Sequence, residues 1–132
     1  MKNLCLLIFL ATFMINAFCQ NYPALDETFR LKQLEPPSGK VRMVLDTDTY
    51  NEIDDQFALA YAYLSKDNIQ LEAVYAAPFH NSRSDGPGDG MEKSYQEILK
   101  LLDMLGGSPD RFAFRGSDRY LSDISNPVRS EA

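Results

Sequence analysis

The stretch that constrains this chain most is VLDTDTYNEIDDQFALAYAYL, residues 44–64. An apolar run, Val41 to Leu45, leads straight into Asp46, Asp48, Asp54 and Asp55, and an apolar segment with helical periodicity follows at once. A short apolar run ended by polar residues reads as a buried strand. Four carboxylates within ten residues repel one another, and a chain keeps them together at low cost only with a cation between them. The pattern points to a divalent metal at the mouth of a parallel sheet. Helix capping is the plainer account of Asp54 and Asp55, since Asp accepts free N–H groups and favours the positive end of a helix. One Asp is accounted for that way. A second beside it, with Asp48 on the strand end, is better accounted for by a metal or polar-substrate site. The donors are all oxygens, with no Cys or clustered His, which favours Ca²⁺ or Mg²⁺ over Zn²⁺.

The rest of the chain alternates. Asp54 to Ser65 reads as a helix, with Phe57, Ala60, Tyr61 and Leu64 on one apolar face. Ile69 to Ala76 reads as a second strand, closed by Pro78, and Asn81 to Gly90 as a loop. Met91 to Leu105 reads as a second helix that faces the core with Tyr95, Ile98, Leu99, Leu102 and Leu105 and stops at Gly106-Gly107. Arg111 to Phe114 is a third short strand. Strand–helix–strand–helix–strand implies right-handed crossovers and a parallel α/β sheet with helices on both faces. Ligands bind such sheets beyond the carboxyl ends of the strands. Asp46 and Asp48, the Phe79–Gly90 segment and the Gly116–Tyr120 segment all fall on that edge.

Lys2 followed by the apolar Leu4 to Phe18 has the composition of an export signal, with Ala17 and Cys19 at the −3 and −1 positions of a cut before Gln20. A lipoprotein anchored on Cys19 and a retained anchor are the alternatives. Residues 1–19 are therefore expected to be a signal peptide and the protein secreted or periplasmic, with no membrane contact after cleavage. Both cysteines, Cys5 and Cys19, lie in that segment, so the mature chain would carry no disulfide. Loss of Lys2 takes the formal net charge from −6 to −7, which disfavours nucleic acid as a partner. Residues 20–39, with Pro23, Pro36, Pro37 and Gly39, read as a linker holding a helical turn around Leu25 to Leu34. Residues 40–132 read as the folded part. Tyr120 to Ala132 has loop chemistry, with Asn126-Pro127 as a turn, and Ser130-Glu131-Ala132 looks like the start of a further helix. The expectation is an incomplete domain.

Residues 40–132 resemble the N-terminal part of the nucleoside hydrolases of the inosine/uridine-preferring kind. That family carries D-x-D-x-x-x-D-D followed by a small-apolar helix. This chain reads Asp46-Thr47-Asp48, then Asp54-Asp55-Gln56-Phe57-Ala58-Leu59-Ala60, with five residues (Thr49 to Ile53) where the family has three. The resemblance implies a Rossmann-like fold, hydrolysis of the N-glycosidic bond of a small nucleoside or related riboside, and a bound Ca²⁺. It implies that Asp48 ligates the metal and acts as catalytic base toward the metal-bound water, and that Asp55 is a second metal ligand. Asp54 would hold ribose hydroxyls, Asn81 would touch the sugar, and Asp46 would orient the water or a ligand. The remaining metal and base contacts lie in that family's later part, so these 132 residues alone are expected to be inactive. A homo-oligomer is compatible with a full-length relative.

Other segments carry weaker signals. His80, the only His, reads as a partly buried structural residue, and Ser82 to Gly90 as a flexible rim loop lacking both EF-hand spacing and a Walker lysine. Two rival readings stand. Haloacid-dehalogenase-type phosphatases also place D-x-D after an apolar strand, but this chain has Tyr50 where they want Thr or Val, and Asp54-Asp55 has no role there. A non-catalytic sugar- or calcium-binding module is the other.

Overall fold

The computed structural model describes residues 24–123 and 125–132. The export-signal reading of residues 1–19 lies outside them. The described residues divide into two units, one ending at Pro36 and the other running Pro37–Ala132. In the first, a short helix, α1 (Glu27–Gln33), is capped by Asp26, whose Oδ1 accepts the Phe29 N–H at 3.1 Å. It occupies the predicted helical turn of the linker.

The second unit runs β1 (Val41–Thr47), α2 (Ile53–Leu64), β2 (Ile69–Ala76), α3 (Pro87–Met104) and β3 (Ala113–Arg115). The strands form one parallel sheet in the order β1-β2-β3. The expected alternation is present, and the first strand runs through Asp46 to Thr47. At the carboxyl edge the backbone is stitched laterally: Ala77 N–H donates to Thr47 O at 2.9 Å and Gly116 N–H to Ala76 O at 3.1 Å. All three polar loops therefore leave the sheet on one edge.

The second helix begins earlier than its sequence pattern suggests. Pro87 at its first turn has no N–H to leave unpaired and a φ already set for helix. Gly88, Asp89 and Gly90 are thus helical, which shortens the expected rim loop. A Cβ at Gly90 would lie 2.0 Å from Phe79 O, so the helix passes the β2–α3 loop at a distance only glycine allows. The other end follows the predicted stop. Gly106, at φ 71°, donates to Asp103 O at 3.0 Å and Gly107 donates to Leu102 O at 2.8 Å, a Schellman closure.

Two expectations need correction. The sequence reading puts helices on both faces of the sheet. Instead, Val74 and Ala76, two residues apart and so on one face of β2, share a single core with Leu59 of α2 and with Met91, Ile98 and Leu102 of α3. The strand order explains this: right-handed crossovers that keep stepping in one direction place every helix on the same side. Within residues 37–132 the opposite face carries Val44, Tyr75 and Phe114 under no helix, with Val44 48% exposed. The second correction concerns α2. Its predicted inner face, Phe57, Tyr61 and Leu64, is exposed, and Leu59 and Ala62 are buried in its place. The α3 face stands, shifted slightly: Ile98 and Leu102 are fully buried with Met91 and Ser94, while Tyr95 and Leu99 pack at the margin. Among the described residues no helix is long and apolar enough to cross a membrane.

Candidate functional site

The carboxyl end of β1 turns sharply into α2. Thr47 is the last strand residue and is 3% exposed; Thr49 is fully buried. Two buried hydroxyls need partners. Thr49 Oγ1 donates to Thr47 Oγ1 at 3.2 Å, and Thr47 Oγ1 passes its own hydrogen to Asp55 Oδ1. Asp48 is held from the other side: Asn51 Nδ2 donates to Asp48 Oδ2 at 2.9 Å, and Asn51 N–H closes the turn onto Asp48 O at 2.6 Å. Asn81, from the loop after β2, donates through Nδ2 to Asn51 Oδ1 at 2.6 Å. One hydrogen-bonded line thus runs from Asn81 through Asn51 to Asp48, and another from Thr49 through Thr47 to Asp55.

The two lines meet at a carboxylate pair. Burial pushes the Asp55 carboxyl above its ordinary value; the Thr47 hydroxyl opposes this, and the neighbouring Asp48 and Asp54 charges raise it further. Among the described residues, none of Asp46, Asp48, Asp54 and Asp55 forms a salt bridge. Asp55 does not serve as a helix cap either. The N-cap position is Glu52, without a side-chain cap bond, and the Asp55 side chain reaches back to β1 instead.

Of the residues singled out from sequence, Asn81 and Asp48 are therefore brought into one hydrogen-bonded line and Asp55 into a second beside it. Asp54 is exposed at the helix start, where its Oδ1 accepts the Asp55 N–H at 3.2 Å. Asp46 faces a separate groove with Tyr75, Pro78 and Ser117. His80 is exposed, against the expectation of a partly buried residue. Sequence reasoning missed Thr47, Thr49 and Asn51. The signal available was small polar residues interleaved with the acids, in a turn where no buried hydroxyl or amide can stay unpaired.

A hard cation suits this donor set, because every candidate ligand is an oxygen. Among the described residues no group of three or more Asp, Glu, His or Cys side chains is gathered to hold a metal. The pair is two carboxylates with neutral oxygens beside them, part of the 6–8 oxygens that Ca²⁺ takes. The chain matches no protein-family profile, no curated protein and no solved structure.

Proposed function

We propose that the Asp48–Asp55 pair is the metal- and sugar-binding centre of an N-glycosidase acting on small ribosides. The observation that carries this reading is the pairing itself. Two carboxylates from different elements converge at the carboxyl edge of a parallel sheet, each held by its own neutral hydrogen-bond donor and neither neutralised by a described basic side chain. Mutual repulsion makes that arrangement unfavourable unless a cation or a hydroxyl-bearing ligand uses it.

A bound Ca²⁺ would supply a more acidic water. Asp48 and Asp55 are the residues that would hold it. Asp48, held by Asn51, would be the base toward that water. The anionic pair also stabilises the positive charge that develops at the anomeric carbon as the N-glycosidic bond breaks. Asn81, tied to Asn51, and the exposed Asp54 would take sugar hydroxyls. With only part of a coordination shell supplied, metal affinity would be weak, and these residues alone are expected to be inactive on nucleosides.

The reading is tested on the sugar product. Calorimetric titration of ribose into the protein, with millimolar CaCl₂ or with EDTA, is compared between the wild type and Asp48→Asn. Binding that needs both Ca²⁺ and Asp48 supports the proposal. No ribose binding, or binding indifferent to Ca²⁺ and to the substitution, overturns it. Any release of reducing sugar from inosine or uridine must likewise vanish in Asp48→Asn.

A further inference from the structure

Beside the carboxylate pair lies an open groove lined by Tyr50, Asn51, Glu52, Ile53, Gln56 and Arg83. It is contiguous with the site through Asn51, the residue that holds Asp48 and receives Asn81. The β2–α3 loop that carries Arg83 is fastened at several points. Ser84 Oγ, 8% exposed as a residue, donates to Phe79 O at 3.0 Å. Asp85 N–H donates to Asp89 Oδ2 at 2.9 Å. Both backbone groups of Arg83 are themselves taken: its N–H donates to Asn81 Oδ1 at 2.9 Å, and its carbonyl accepts from Lys93 Nζ at 2.8 Å. The Arg83 guanidinium, by contrast, meets no acceptor and no carboxylate within salt-bridge reach among the described residues. Glu52 lines the same groove without pairing to it.

Arg83 is exposed, so its backbone is held while its guanidinium is open to a ligand entering the groove. The guanidinium offers a planar fork of donors that matches phosphate and carboxylate oxygens. The acids around Asp48 repel an anion, so a ligand with an anionic end is better tolerated where a cation meets that end away from them. Tyr50, which also lines the groove, stacks on Phe79 at 6.5 Å between ring centroids.

We infer that Arg83 is a specificity-determining residue that binds an anionic group on the ligand, so that the substrate class is a phosphorylated riboside rather than a neutral one. The inference rests on the sugar-site reading for the other end of the ligand. It is tested by calorimetric titration of ribose and of ribose 5-phosphate into the full chain with Ca²⁺, for the wild type, Arg83→Gln and Arg83→Lys. A fixed charge-assisted contact predicts that ribose 5-phosphate binds about 10-fold or more tightly than ribose. Arg83→Gln abolishes that difference and leaves ribose unchanged, while Arg83→Lys, which keeps the charge but not the fork, restores part of it. Equal binding of the two sugars overturns the inference, as does a preference that survives Arg83→Gln, which would come from phosphate on the metal. Ribose 5-phosphate held through Arg83 with no binding of ribose would keep the anion site and remove the sugar-site reading, so the two failures are distinct.

Discussion

At the residue scale, Asp55 carries the tension of the site. Its carboxyl is raised first by burial, then by the charges of Asp48 and Asp54, and only the Thr47 hydroxyl opposes them. A carboxyl with a raised folded-state pKa binds its proton more tightly in the fold than in the unfolded chain. Its contribution to stability is therefore intact below the unfolded value, about 3.9, and is lost as pH rises through the folded value. Asp55→Asn keeps an oxygen to accept from Thr47 and removes the charge. In EDTA the variant should be more stable than the wild type at pH 7, by less than about 1 kcal/mol after solvent screening, and indistinguishable from it near pH 3. Urea midpoints at the two pH values check this; a variant less stable at pH 7 contradicts it. The acids themselves were legible in the sequence, as was Asn81. Thr47 and Asn51 were not, because a lone hydroxyl or amide in a turn has no signature until the fold decides which neighbour is buried beside it.

At the scale of elements, α2 separates what periodicity can and cannot tell. Its sequence is apolar on more than one stripe, so a 3.6-residue repeat fits both Phe57–Tyr61–Leu64 and Leu59–Ala62. What decides between them is the sheet. With Asp55 drawn back to Thr47, Leu59 packs onto Val74 and Ala76 of β2 and Ile98 and Leu102 of α3, and Ala62 is buried. Leu59 is fully buried and Phe57 is 69% exposed. Leu59→Ala should therefore cost about 2–5 kcal/mol, and Phe57→Ala no more than about 0.5 kcal/mol, in urea unfolding. The reverse ranking would restore the face that the periodicity suggested. For α3 the same reasoning from sequence succeeded at Ile98 and Leu102, because its polar residues leave one stripe only. Its start was misplaced because the glycines read as a loop, whereas Gly90 is there for close passage over Phe79 and Gly88 for close passage over Asp118.

For the whole molecule, the strand–helix alternation was legible in full, and with it the edge where the acids sit. The one-sided placement of the helices was not, since it depends on strand order, which the local pattern does not encode. Its consequence is apolar surface in the open: Ile53, Phe57, Tyr61 and Leu64 along α2, and Val44 on the far face of the sheet. Such surface lowers solubility. The double substitution Phe57→Ser, Tyr61→Ser, remote from the core, should raise the soluble concentration severalfold by static light scattering with the fold retained by circular dichroism; unchanged solubility would count against an open face there. The central claim, that the acids after β1 hold a divalent cation, is tested most directly by calorimetric titration of CaCl₂ into the wild type, Asp48→Asn and Asp55→Asn. The account predicts one weak site, on the order of millimolar given its partial shell, that disappears in both variants. Binding of equal strength in all three proteins would contradict it.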